Sequence, residues 1–475
     1  MITEKFLIKN EFAASDEVTE VINPYTGKVV KRVYRSGKED INTSLNYLTS
    51  IFPKYRKEPV YLKAGLLERI SFKITERREE LSQLITLETG KPVKFSRIET
   101  DRAALTFKLG SEEAKRIEGE TINLDLQKGS ENVFGLIKRF PLGVIFAITP
   151  WNFPLNLVAH KLSPALASGN VVLLKPASAS LICGIEIVKI IKECCEELNM
   201  DYCPVNVITS PGKDVEEFVK DDRVKMVSFT GSSVVGWDLK RKVNRQKISL
   251  ELGGNAGVIV DESADINNAV SKIILGGFSQ AGQSCISVQR VFVHKKIYTE
   301  FEKTLKEETR KVKTGDPFND DTDVAAMISE EDAKKIQKWI NDALEGGAKV
   351  IAGGEREKAV LMPTILTHTN RNMNVNSREV FAPLITLAEF DKFEKAVEYV
   401  NDSLYGLQAG VFTNNFKNVF YAYDNIDTGG VVINNVSTYR MDSMPYGGVK
   451  DSGNGREGVK YAIEEMTERK ILVIA

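Results

Sequence analysis

Gly143-Val-Ile-Phe-Ala-Ile148 is an unbroken apolar run, followed by the proline-punctuated loop Thr149-Pro-Trp-Asn-Phe-Pro154 and a helical pattern from Leu155 to Ala167. The unit then repeats. Asn170-Val-Val-Leu-Leu-Lys175 leads to a helix expected over Ser180 to Leu198, and Val205-Asn-Val-Ile208 to one near Lys213 to Lys220. Val224-Lys-Met-Val-Ser-Phe229 leads to a helix from Ser233, and Ile248-Ser-Leu-Glu-Leu252 closes the series. Strands this apolar are covered on both faces, which means an α/β fold with a parallel sheet flanked by helices. Such a doubly wound sheet binds its ligand at the carboxyl ends of its strands.

Upstream, residues 1 to 35 carry short alternating segments around the turn Asn23-Pro-Tyr-Thr-Gly27, so small β-structure is expected there. Helical periodicity follows over Glu39 to Phe52, Tyr61 to Glu76, Glu79 to Thr89 (stopped by Gly90-Lys-Pro) and 93 to 117. Residues 118 to 141 read as a β-hairpin arm, with two strand-like segments flanking Gln127-Lys-Gly-Ser-Glu-Asn132. Downstream, a second α/β unit starts after Gly253-Gly254: strand Ala256 to Val260, helix Ile266 to Gln280, strand 288 to 294, helix 297 to 312, helix Glu330 to Glu345. Ile471-Leu-Val-Ile474 is a lone strand that can pair with the 121 to 139 arm, in its own subunit or a neighbour.

A chain of 475 residues calls for two large lobes. A formal net charge of −1 with no basic block argues against nucleic acid. Five cysteines are not a disulfide framework, and no CxxC or His/Cys cluster suggests a metal site. The charged start Met1-Ile-Thr-Glu-Lys-Phe-Leu-Ile-Lys9 does not read as a signal peptide. No apolar run reaches the roughly 18 residues of a membrane span. A cytoplasmic protein is expected.

Six segments can carry chemistry. Gly282-Gln-Ser-Cys285 presents a thiol on a turn of small residues, as a nucleophile or as a packed hydrophobe. Phe229-Thr-Gly231-Ser232-Ser-Val-Val-Gly236 sits between strand and helix, where glycines let backbone N–H groups approach a phosphate; its spacing is GxxxxG, not GxGxxG. Lys175-Pro-Ala-Ser178 offers a cation for ribose or phosphate, or a solvated loop. Asn152 can donate to an oxyanion, or to its own backbone in a turn. Glu251, at the end of an apolar strand, can be a general base with a raised pKa. Glu379-Val-Phe381, read as extended, puts both side chains on one face to grip a ribose and wall a flat ring. His160, His294 and His368 are the only histidines and none lies in a motif, so a Cys–His dyad is poorly supported.

Pro150-Trp-Asn-Phe-Pro154, Lys175-Pro-Ala-Ser, Phe229-Thr-Gly-Ser, Leu250-Glu-Leu-Gly-Gly, Gly282-Gln-Ser-Cys285, Glu379-Val-Phe-Ala-Pro and Pro445-Tyr-Gly-Gly-Val-Lys450 together closely resemble the aldehyde dehydrogenase superfamily, in the family's order and across nearly the whole chain. The resemblance implies a Rossmann-like dinucleotide-binding domain (1–119 and 142–252), an α/β catalytic domain (253–450), and an oligomerisation arm and tail (120–141 and 451–475). It implies Cys285 as the nucleophile, Asn152 as oxyanion donor and Glu251 as the base that activates water on the thioester. It places Thr149, Trp151, Lys175, Ser178, Gly212, Gly231, Ser232, Val235, Leu252, Glu379 and Phe381 against the cofactor. Many NAD-preferring members carry Glu where Ser178 stands, so NADP is expected, with NAD as the second choice. A homodimer or homotetramer is implied.

The implied substrate is a small hydroxyaldehyde or semialdehyde, with Asn156, His160, Ser284 and Tyr439 to Arg440 as polar candidates at the entry. Arg440 suits a semialdehyde carboxylate, so a succinate-semialdehyde enzyme is one alternative. A non-phosphorylating glyceraldehyde-3-phosphate enzyme is another, against which Ser284 stands where such members often carry Arg. Two alternatives from other classes remain: a redox-inactive structural or binding protein that kept the fold, and a cofactor-independent thiol esterase or acyltransferase using Cys285.

Overall fold

The computed structural model describes residues 3–475. Met1 and Ile2, the start of the stretch read as β-structure, lie outside the described residues. Every apolar segment of the opening series is a strand, and Val144–Ile148 and Val171–Lys175 are buried along their whole length. Five parallel strands run in the order Lys247–Glu251, Val224–Thr230, Val144–Ile148, Val171–Lys175, Val205–Val207. Ile148 lies opposite both Lys175 and Phe229, and Thr230 opposite Glu251. The strands therefore finish level, and Thr149, Lys175, Thr230 and Glu251 share one edge of the sheet.

Helix Asn156–Ser168, buried on every face, follows Val144–Ile148. Gly90 ends helix Arg78–Thr89 in the left-handed conformation at φ 70°, which is why the Gly-Lys-Pro signal stops it. The second sheet has seven strands, ordered Lys349–Ala352, Thr364–Thr367, Leu384–Phe390, Val288–His294, Ala256–Val260, Gln408–Phe412, Gly430–Ile433. Only the first of these runs antiparallel to its neighbour. Each sheet has its own apolar core.

Four expectations need correction. The tail from 451 does not belong wholly to the arm. Gly453–Asn454 pairs with Leu250 and Glu251 in the first sheet, and Val459, Ile463 and Met466 pack into that sheet's core. Only Thr467–Ile474 joins the arm, pairing antiparallel along all of Phe134–Pro141, which in turn pairs with Glu120–Asn123. The helix expected over 213 to 220 is one turn of α-helix, Gly212–Val215, followed by a 3₁₀ turn, Glu216–Lys220. Val215, Phe218 and Val219 are the residues this segment buries. The helix from Ile266 stops at Phe278, because Gln280, Ala281 and Gly282 are all left-handed. Finally, Glu379 to Phe381 is a loop and not a strand, with Phe381 at φ 53°. Gln289 holds this loop, accepting from Val380 N–H (3.1 Å) and donating to the Arg378 carbonyl (2.7 Å). Those bonds replace a strand ladder.

Candidate active site

Cys285 lies where the second sheet's Ile266–Phe278 helix is thrown off its axis. Three successive left-handed residues reverse the chain, and Ser284 N–H closes the turn on the Gly282 carbonyl at 2.9 Å. Position 282 must be glycine: besides φ 65°, a Cβ there would sit 2.1 Å from the Ala382 carbonyl oxygen. The turn also holds Asn152 from two sides. Gln280 Nε2 donates to the Asn152 carbonyl, and Asn152 Nδ2 donates to the Gln283 carbonyl at 3.1 Å. Asn152 thus stands beside the thiol with its amide aimed at the Cys285 turn.

Glu251 arrives from the edge of the first sheet. It is buried, and neither carboxylate oxygen has a partner in the protein. Burial, reinforced by the nearby Glu457 charge, pushes its pKa well above the usual carboxylate range; Arg440, Lys161 and Arg456 pull less strongly the other way. Glu457 is paired, to Arg440 Nη2 at 2.9 Å and Lys161 Nζ at 3.4 Å. Lys161 also donates to Ser228 Oγ at 3.0 Å. Behind Arg440, His160 Nε2 donates to Asp442 Oδ1 at 2.8 Å, and Arg102 makes two bonds to the same carboxylate.

Two cavities of about 270 and 280 Å³ meet at the thiol, sharing Leu157, Cys285, Arg440 and Tyr446 as walls. The first reaches the strand ends. Trp151, Asn152, Gly231, Ser232, Glu251, Leu252, Glu379 and Phe381 line it, as do Lys335 and Asp332. Phe381 meets Trp151 edge to face, ring centres 5.6 Å apart. Glu379 accepts from Gly254 N–H at 2.9 Å, and burial pushes its pKa up to about 7. The second cavity is lined by Asn156 and Ser284 together with Phe95, Arg102, Phe153 and Thr438.

Thr149, Lys175, Ser178, Gly212 and Val235 do not wall either cavity, but they lie at or just after the carboxyl ends of strands of the first sheet. Thr149 N–H donates to the Lys175 carbonyl at 3.1 Å. Lys175 is buried, which lowers its pKa to about 8. Ser178 and Gly212 are exposed, and Val235 lies in the first turn of helix Ser233–Lys242, capped by Ser232 Oγ. Thr149 Oγ1, Thr230 Oγ1 and Ser233 Oγ are buried without protein partners. Unmatched donors at strand ends and at a helix amino terminus fit a phosphate-bearing dinucleotide.

His160 is the candidate this geometry removes from the entry. It is buried behind Arg440, touches neither cavity, and is held neutral by burial and by the Arg440 charge against the pull of Asp442. Tyr439 is half-exposed and also outside both cavities.

A model of the aldehyde dehydrogenase family matches residues 12–472. The chain belongs to the aldehyde dehydrogenase family. A 3-sulfolactaldehyde dehydrogenase of Priestia aryabhattai is 42% identical over 472 residues, 98% of this chain and 97% of that one. Aldehyde dehydrogenase 21 from Physcomitrella patens, solved with the reaction product succinate, superposes with a TM-score of 0.97 at 37% identity, covering 99% of this chain and 98% of that one. Glyceraldehyde-3-phosphate dehydrogenase GapN from Methanocaldococcus jannaschii, solved with NADP, gives 0.93 at 37%, covering 97% and 100%. No helix among the described residues of this aldehyde dehydrogenase is long and apolar enough to cross a membrane.

Sequence reasoning gave no role to Tyr446, Gln280, Lys161 or Glu457, which complete the site of this aldehyde dehydrogenase. Lys161 did leave a signal, as the one cation inside helix Asn156–Ser168. Tyr446 stood in a quoted motif, but only its contact with sulfur gives the hydroxyl a purpose.

Proposed function

We propose that this aldehyde dehydrogenase oxidises a small aldehyde with an anionic far end to the carboxylic acid, with NADP as the preferred cofactor and NAD second. The supporting observation is the thiol at the junction of two cavities. One carries Glu251 and runs to the sheet edge, and the other is walled by Arg440 and Arg102. Arg440 Nε is buried without a partner, so a substrate carboxylate or sulfonate at that wall would satisfy it. A relative that acts on a sulfonated aldehyde and a neighbour solved with succinate support the same charge class. The runner-up is a neutral lactaldehyde-type hydroxyaldehyde.

The Cys285 sulfur adds to the aldehyde carbon, and the carbonyl electron pair moves to oxygen. Asn152 Nδ2 and the Cys285 backbone N–H hold that oxygen. The bound dinucleotide supplies the hydride acceptor. Trp151 and Phe381 wall the ring's space and keep water from it, and Glu379 holds the adjoining ribose. Loss of hydride leaves an acyl thioester on Cys285. Glu251 removes a proton from water, the hydroxide oxygen bonds to the acyl carbon, and the S–C bond breaks to release acid and thiolate. Exposed Ser178 carries no charge to repel a 2′-phosphate, which supports NADP.

In the arm, Ile471, Leu472, Val473 and Ile474 form an exposed apolar edge, and Gly430–Ile433 is the last strand of the second sheet, paired only with Gln408–Phe412 among the described residues. Joining the two across copies would bury both edges in a homodimer or homotetramer. All five cysteines are free thiols, which supports a reducing cytoplasmic setting. The decisive experiment follows reduced cofactor with NADP and NAD against lactaldehyde, succinate semialdehyde, sulfolactaldehyde and glyceraldehyde 3-phosphate. Faster oxidation of the neutral aldehyde than of every anionic one would overturn the charge assignment. Ester hydrolysis without cofactor, and no aldehyde oxidation, would overturn the whole reading in favour of a thiol esterase.

A further inference from the structure

Cys285 has no histidine to ionise it. His160 is bonded to Asp442, His294 to the Asp391 carbonyl, and His368 lies beside Thr367. Among the described residues the Glu251 carboxylate has no hydrogen-bond partner, so it is not paired with the sulfur either. One polar side-chain atom does reach the thiol: Tyr446 Oη, 3.0 Å from Cys285 Sγ. Tyr446 is almost fully buried, and its ring packs against Cys285 together with Ile286 and Leu407. The Arg440 guanidinium lies over that ring, 3.7 Å from its centre, and is itself fixed by Glu457. A cation on the ring face makes the phenol a better donor, because it stabilises electron density drawn from oxygen into the ring.

We propose that Tyr446, polarised by Arg440, is the catalytic hydrogen-bond donor that holds the Cys285 thiolate. This rests on the proposed role of Cys285 as the nucleophile. The thiol loses its proton to solvent through the open cavity, and Tyr446 keeps its own. Sulfur's lone pair forms the S–C bond and the carbonyl pair moves to oxygen, which releases Tyr446 from charge. When water displaces the thioester, the S–C pair returns to sulfur and Tyr446 again donates to it. One hydroxyl thereby serves the first bond made and the last one broken.

The surroundings set how much is asked of this bond. Burial raises the thiol's pKa to about 11; the Tyr446 bond and the Arg440 charge lower it, while Glu379 and Glu251 raise it. Glu457 offsets part of the Arg440 charge, and across the second cavity Glu99 is paired with Lys91 and Arg102 with Asp442.

The test is Tyr446→Phe, which removes one oxygen and keeps the ring. Alkylation of Cys285 by iodoacetamide is followed by mass spectrometry against pH, with no cofactor or aldehyde present. The expected result is alkylation about ten- to hundredfold slower at neutral pH, the worth of a hydrogen bond to a charged group, with the inflection displaced to higher pH. Aldehyde kcat/KM should fall by a similar factor and recover as pH rises, with NADP affinity unchanged. An unchanged inflection overturns the proposal. If Tyr446→Phe does not fold, a 3-fluorotyrosine placed at 446 decides: its more acidic phenol should speed alkylation at neutral pH, and an unaltered profile overturns the proposal. Because alkylation needs no turnover, it stays decisive even if no aldehyde proves to be a substrate.

Discussion

Glu251 and Glu457 are two buried carboxylates in one cavity, and they are held in opposite states. Glu251 closes a strand of the first sheet with both oxygens unmatched, and burial with the neighbouring Glu457 charge drives its pKa far up. Glu457 is just as buried, yet the Lys161 and Arg440 charges overcome that burial and keep it ionised. The same side chain is held protonated in one place and as a paired anion in the other. What differs is the company each one keeps, and in the proposed mechanism the difference sorts a base from its scaffold.

The largest effect expected is at Cys285, the proposed nucleophile. Cys285→Ser should lower dehydrogenase turnover by roughly a thousandfold or more, read from reduced cofactor. Glu251→Gln should slow thioester hydrolysis by about 10²–10⁴-fold while leaving the first hydride transfer, so that pre-steady-state traces show a burst followed by near arrest. Glu457→Gln tests the other half of the contrast. It strands Lys161 and Arg440 without their counter-charge and should cost about 3–5 kcal/mol of stability, seen as a lower midpoint in urea. A burst-and-arrest trace from Glu457→Gln with no loss of stability would invert the two assignments.

A pH titration sharpens the comparison further. In the proposed mechanism the base form of Glu251 does the work, and its pKa is raised, so deacylation should climb with pH above neutrality instead of levelling off near pH 5. Alkylation of Cys285 in the wild-type enzyme should likewise keep rising toward pH 11, past the value of about 8.5 where a free thiol levels off. The smallest expected effect lies farthest from the site. Leu472→Lys with Val473→Lys should shift sedimentation toward smaller species while the isolated subunit keeps its fold, since both side chains stand exposed on the arm.

Much of this architecture is legible in the chain because the strands are apolar along their whole length. Segments such as Val171–Lys175 leave a periodicity-free run that only a covered sheet explains, and Gly90 and Pro92 punctuate the helices before it. The ordered motifs also predict that Cys285, Asn152 and Glu251 share a site. The missed features depend on contacts distant in sequence. Phe381 looks extended until Gln289 bonds the loop around it. Gly453–Asn454 is too short to announce itself as a strand and becomes one only against Leu250 and Glu251. His160 looks like an entry residue until Asp442, hundreds of positions on, claims it.

The pairing of Thr467–Ile474 with Phe134–Pro141 has a consequence for how the molecule comes together. Its contacts join positions 328 residues apart, as between Arg139 and Thr467. Loops that long close late, after the local strand–helix units on either side have condensed. The segment carrying the exposed apolar edge is therefore ordered last. While the two cores are still forming, the adhesive strand has no sheet to belong to and offers no rigid template to another chain. In the proposed homo-oligomer, self-association would therefore wait on completed folding, which would order the assembly in time as well as in space.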